Sequence, residues 1–282
     1  MMMLQIQFVC YAISLKIMRS DKVENTQLYH GDCLEVMKSI PDKSVDMILC
    51  DLPYGTTKAK WDIIIPFDKL WEQYERIIKD DGAIVLFGTE PFSSYLRTSN
   101  IKLYKYDWVW DKISSVGHLV AKYRPMQQTE TISVFYKKRC LYNPPKQKLS
   151  KEEYEEKIKK LPKKTRKMDN DLIGKHSSLS SDERDLEKYK YKETTNLIKY
   201  SCRSKECNNT NRLHPTQKPV DLLEYLIKTY TNEGETVLDN CMGSGSTGIA
   251  CLNINRKFIG IELDEKYFEI AKNRIENHEV IK

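Results

Sequence analysis

The stretch "TVLDNCMGSGSTGIACLNIN", Thr236 to Asn255, decides how this chain folds. A short apolar run closes on Asp239 and Asn240. Gly243, Gly245 and Gly248 then follow in G-x-G-x-x-G spacing, and a run of small and apolar residues after them reads as a helix. Glycines where a strand turns into a helix let the backbone pass close to a ligand and let the helix pack near the strand. The next strand pattern, "KFIGIE", closes on Glu262, about 20 residues on, where an acid accepts hydrogen bonds from ribose hydroxyls. The pattern points to a cofactor containing adenosine, which leaves both nicotinamide dinucleotides and S-adenosylmethionine. Asp239 favours the second, because a carboxylate suits a cationic ligand end while a pyrophosphate wants N–H groups and positive charge. Asp239 read as a turn or capping acid is the alternative.

Outward from this turn, β-type runs alternate with helical patterns: "TQLYHGD", "VDMILCD", "AIVLFG", "YDWVWDK" and "TISVFYK". Such alternation predicts a mostly parallel sheet covered by helices. "FDKLWEQYERII" sets Phe67, Leu70, Trp71, Tyr74, Ile77 and Ile78 on one helical face, and Leu222, Leu223, Leu226, Ile227 and Tyr230 do the same after Pro219. Residues 143–212 break the pattern. They are rich in lysine and glutamate, interrupted by prolines and poor in aliphatic side chains, so they read as an insert between a segment 26–142 and a segment 213–282. Residues 1–25 read as an extension dispensable to the core or, as the alternative, as an amphipathic strand or helix docked on the surface, with no signal sequence and too little apolar length to span a bilayer.

With 282 residues, 40% of them hydrophobic, the chain can bury a large core. The net charge of +6 is a weak pointer to an anionic partner. None of the eight cysteines stands in C-x-x-C spacing, so no metal site is expected and reduced cytosolic thiols are the default.

A second motif carries the chemistry. The apolar run "SVDMILC" ends on "DLPYGTT", Asp51 to Thr57. Together "DLPY", "HPTQKPVDLLEYL" and "VLDNCMGSGSTG" resemble the β-class of DNA amino-methyltransferases, the exocyclic-amine methylases of restriction-modification systems and phages. In that family the catalytic motif, a target-recognition region and the cofactor glycine motif follow in this order. The resemblance implies an α/β, circularly permuted Rossmann-like S-adenosylmethionine-dependent methyltransferase fold with an inserted target-recognition region. It implies methyl transfer to the N6 amine of an adenine flipped out of double-stranded DNA. Cytosine N4 is the alternative target, and a nicotinamide-dependent oxidoreductase the alternative enzyme.

The implied roles fall on single residues. An exocyclic amine is a poor nucleophile because its lone pair is delocalised into the ring. The Asp51 carboxylate and the carbonyl of Leu52 or Pro53 would accept its two N–H bonds and stabilise developing positive charge. Tyr54 would stack on the extruded base. The family usually has proline where Leu52 stands, and its cytosine-N4 members tend to carry serine where Asp51 stands. By resemblance Asp32 and Cys33 lie by the cofactor adenine, and Thr216 and Lys218 contact its methionine carboxylate. Asp51, Asp239, Asn240, Gly243, Ser244, Gly245, Thr247 and Glu262 complete the cofactor site. Lys122, Tyr123, Arg124, Arg203 and Arg212 are the expected DNA contacts. Gln128, Thr129 and Glu130 stand where the family often shows His-Glu. A homodimer, a cognate restriction endonuclease and a cytoplasmic setting in a bacterial or phage-infected cell are further implications.

Overall fold

The computed structural model describes residues 19–23, 25–57, 62–146, 148–160, 189–202 and 217–278. It divides into two units, 1–144 with 196–282, and 145–195. The larger unit holds a nine-stranded sheet. In chain order its strands are β1 (Arg19–Val23), β2 (Thr26–His30), β3 (Val45–Cys50), β4 (Ile78–Gly88), β5 (Tyr104–Val116), β6 (Gln127–Phe135), β7 (Leu197–Lys199), β8 (Thr236–Asp239) and β9 (Lys257–Glu262). They lie across the sheet as β1-β2-β9-β8-β3-β4-β6-β5-β7. The five strands from β2 to β4 are mutually parallel, and β6 runs antiparallel to both β4 and β5.

Six helices cover this sheet: α1 (Cys33–Met37), α2 (Phe67–Ile77) and α3 (Phe92–Ser99) on one face, α5 (Val220–Tyr230), α6 (Ser246–Asn253) and α7 (Glu265–Glu276) on the other. Strand β3 shows why both faces need covering. Met47 and Leu49 point into the core beneath α5, whereas Ile48 and Cys50 point beneath α2, and all six of its residues are buried. Alternation of side chains across a strand produces two cores from one apolar run. On α2 the residues Leu70, Trp71, Tyr74 and Ile77 are buried as the spacing predicts, while Ile78 already begins β4.

The smaller unit carries α4 (Lys151–Lys160), whose described residues include none that is buried. Lys157 donates to the carbonyl of Tyr191 at 2.8 Å, and Lys192 pairs with Glu153 at 3.0 Å. Strand β7 lies within 143–212 yet belongs to the sheet, pairing parallel with β5 through Val109, Trp110 and Asp111. Likewise β1 lies within residues 1–25 and pairs with β2. Among the described residues no helix is long and apolar enough to cross a membrane.

Candidate active site

Because β2, β9, β8, β3 and β4 are parallel, their carboxyl ends share one edge of the sheet. Crevices outside the carboxyl ends of such strands are where ligands bind. Here that edge holds a cavity of about 600 Å³, lined by Asp32 and Cys33 after β2, Asp51 to Tyr54 after β3, Asp239 to Ser244 after β8, and Glu262 at the end of β9. The acid and aromatic of Asp51 to Tyr54 and the glycine turn, far apart in the chain, therefore face one volume.

The glycine turn is built by two residues in the left-handed region, Gly243 at φ 53° and Gly245 at φ 77°. L side chains are disfavoured there. A Cβ at Gly245 would also meet Ala271 at 3.1 Å, so this glycine lets α6 approach α7 and does not itself line the cavity. The acids around the turn are held by it. Thr247 donates to Asp239 at 2.6 Å and the Cys241 N–H to the same carboxylate at 3.1 Å. Gly243 N–H and Asp264 N–H each donate to Glu262 at 2.8 Å. Burial pushes Asp239 up to about 6 despite the bonds from Thr247 and Cys241. It pushes Glu262 up to about 7 against the bonds from Asp264 and Gly243. Asn240 accepts the Tyr74 hydroxyl at 2.5 Å, which ties the turn to α2. Asp32 caps α1 by accepting the Leu34 N–H at 2.8 Å, so its capping role and its place on the cavity wall coexist.

Opposite lies "DLPYGTT". Asp62 accepts the N–H groups of Gly55, Thr56 and Thr57 at 2.8, 2.9 and 2.6 Å, which fixes the course of the chain leaving the motif. Burial works to raise this carboxyl, but those hydrogen bonds hold it below its ordinary range. Tyr54 packs its ring against Phe92, with centroids 4.8 Å apart and planes 30° from parallel. Its hydroxyl donates to Asp51 at 2.5 Å and is 3.0 Å from Glu130.

The hairpin of β5 and β6 and the segment just before α5 complete this wall. Lys218 bridges Asp51 at 2.7 Å and Glu130 at 2.9 Å, and Lys112 meets the other oxygen of Glu130 at 2.7 Å. The four charges balance, as burial of charge demands. Burial raises Asp51, opposed by Lys218, whereas Lys218 and Lys112 outweigh burial and hold Glu130 low. Burial alone would lower the Lys218 ammonium, but the two carboxylates outweigh it and raise it. Lys218, expected at a cofactor carboxylate, thus touches Asp51 and Glu130.

Neither Glu130 nor Lys112 was expected in the site. A signal existed: period-two alternation puts Glu130 on the face of the buried Ile132 and Val134, and Lys112 on that of the buried Trp108 and Trp110. Lys122, Tyr123 and Arg124 lie outside the cavity, exposed in the connection between β5 and β6. Thr216, Arg203 and Arg212 lie outside the described residues.

A family model described as DNA methylase matches residues 45–273, which include every one of these motifs except the Asp32 cap. The chain belongs to the DNA methylase family. The methylase is 26% identical over 264 residues to Type II methyltransferase M.HpaI of Haemophilus parainfluenzae, covering 89% of this chain and 74% of that one. It is 26% identical over 271 residues to DNA adenine methyltransferase YhdJ of Escherichia coli, covering 90% and 83%. Its fold matches the crystal structure of the M1.HpyAVI-SAM complex with a TM-score of 0.57 at 26% identity, over 89% of this chain and 98% of that one. The permuted Rossmann-like sheet of the methylase is thus a methyltransferase fold.

Proposed function

We propose that the methylase transfers a methyl group from S-adenosylmethionine to the N6 amine of an adenine flipped out of double-stranded DNA. The observation that carries this reading is the single cavity shared by Asp51 and Tyr54 on one side and by Asp239, the glycine turn and Glu262 on the other. The cavity fits such a cofactor. The carboxylates of Glu262 and Asp239 would serve as acceptors for ribose hydroxyls and for a cationic end, and the left-handed Gly243 leaves the backbone bare between them. Asp32, Cys33, Asn240, Ser244 and Thr247 would complete the contacts. When bound, the cofactor supplies a methyl group already activated on a sulfonium.

The residues of the chain hold the amine. Asp51 accepts one N–H and the carbonyl of Leu52 or Pro53 the other, which favours a tetrahedral nitrogen and stabilises the charge it acquires. Tyr54, backed by Phe92, offers a ring for the base to stack on, and such stacking is worth about 1–3 kcal/mol. An acid at position 51 supports adenine over cytosine N4, as does the likeness to an enzyme named as an adenine methyltransferase. Lys122, Tyr123 and Arg124, on an 18-residue stretch from Lys112 to Thr129 without an acid, would meet phosphates. Arg203 and Arg212 would add contacts from the target-recognition segment 143–212. A homodimer, a restriction endonuclease partner and a cytoplasmic setting belong to the same proposal, and sedimentation tests the first.

The test is incubation of unmethylated DNA with isotopically labelled cofactor, followed by mass spectrometry of the nucleosides. N6-methyladenine is the expected product. N4-methylcytosine alone would overturn the adenine reading.

A further inference from the structure

Lys218 sits where the proposed reaction needs something more than a hydrogen-bond acceptor. Its side chain is 11% exposed, its ammonium lies 2.7 Å from Asp51 and 2.9 Å from Glu130, and it lines the cavity beside Phe87, whose ring centroid is 5.0 Å away. The wall therefore presents an acceptor and a donor side by side. The edge of adenine presents the complement: the N6 amine donates, and the adjacent ring nitrogen N1 accepts. Flipped bases are read by hydrogen bonds to this edge. We propose that Lys218 is a base-recognition residue that donates to the ring nitrogen next to the target amine while Asp51 accepts from the amine itself. This rests on the adenine reading above.

The chemistry gives that donor a task. The N1 lone pair lies in the ring plane and is the stronger nucleophile, whereas the N6 lone pair is delocalised. A site that brings an electrophilic methyl to this edge has to keep N1 silent, and a hydrogen bond from a cation into its lone pair does so. Asp51, adjacent to the ammonium, offsets the electron withdrawal at N6. Guanine and thymine offer a carbonyl and an N–H at the two positions, so Asp51 would face an oxygen and Lys218 a hydrogen. Either of these two bases leaves both groups mispaired, which is a stronger basis for rejection than lost contact area, whereas cytosine, with the same amine and ring-nitrogen pair, is not rejected in this way.

Glu130 makes the arrangement rigid. Lys112 holds one of its oxygens at 2.7 Å, and the other faces Lys218 and the Tyr54 hydroxyl. Pairing of Glu130 with Trp110 across β5 and β6 anchors it in the sheet. An ammonium carries three donors and turns freely about its last bond. Lys218 can therefore keep Glu130 while offering a proton to the base, and Glu130 is a positioning residue.

The experiment compares duplexes that contain either adenine or 1-deazaadenine at the methylated position. The analogue keeps the amine and replaces N1 by C–H. The full-length wild-type chain is expected to favour adenine by about 10- to 100-fold in kcat/KM, the range for a hydrogen bond to a charged donor. Lys218→Met is expected to be slow on both duplexes and to lose the preference, and to release N1-methyladenine on neutral enzymatic digestion. Glu130→Gln is expected to narrow the preference, which a purely structural role would leave unchanged. Equal wild-type rates on the two duplexes, or full preference in Lys218→Met, would overturn the assignment. The wild-type comparison decides even where the variant does not fold. Absence of methyladenine from the natural duplex would overturn the adenine reading and this one with it.

Discussion

Asp51 works as a charged acceptor, and its value depends on losing nothing to reorganisation when charge develops on the amine. Removing one preorganised electrostatic group of this kind costs about 100- to 1,000-fold in rate. Asp51→Ala is therefore expected to lower methyl transfer by at least about that factor while cofactor binding persists, as measured by label incorporation beside equilibrium dialysis. Gly55 is the neighbouring position where backbone geometry decides. It stands at φ 67°, and a Cβ there would lie 2.9 Å from Ile64 Cγ1. Left-handed backbone costs an L residue about 1–2 kcal/mol before any contact is counted. Gly55→Ala is expected to lower stability by about that much, read as a shift in denaturant midpoint. The sequence made Asp51, Tyr54 and the glycine turn legible because local spacing encodes them. Glu130 and Lys112 were obscured because their meeting depends on the register of a hairpin, Trp110 opposite Glu130, which no local pattern states.

At the scale of the element, the end of β9 carries a pH dependence. Burial raises Glu262 to about 7 in the folded chain, whereas an unfolded glutamate titrates near about 4.3. Between these values the folded state binds more protons than the unfolded one, so stability falls as pH rises through the window. Acidification from pH 8 to 6 is expected to stabilise the cofactor-free protein through this group. Asp239, raised to about 6, adds the same sign at lower pH. The Glu262→Gln variant should show a shallower slope of melting temperature against pH. Ribose recognition needs the ionised form, so cofactor affinity should weaken by up to about tenfold per pH unit below 7 in the wild type, whereas in that variant the decline should set in only near 6, where Asp239 titrates, by titration calorimetry. Elements with strong periodicity, α2 and α5, were legible for the same reason their faces are buried. Strand β7 was not, because "LIK" is three residues long inside a polar stretch and becomes a strand only by pairing with β5.

Across the whole molecule, an excess of positive charge meets a polyanion. Each lysine or arginine that neutralises a phosphate contributes about 0.9 to the slope of log affinity against log salt. Lys122→Ala and Arg124→Ala are each expected to reduce that slope by about one unit with little change in sequence preference, measured by fluorescence anisotropy across a salt series. A change of preference without a change of slope would show base contact instead of phosphate contact.

The sheet order has a consequence for how the chain comes into being. Strands β8 and β9 lie between β2 and β3, yet almost everything else is synthesised before them. Until they emerge, β2 and β3 have no neighbour to bridge them, and each presents bare backbone on the side where its partner belongs. Such edges invite pairing between chains, and pairings distant in sequence close slowly. A nascent or truncated chain lacking the residues after about 235 therefore has two half-sheets and no middle. These late strands, β8 and β9, are the keystone of the vault, and the chain remains vulnerable to aggregation until they are set.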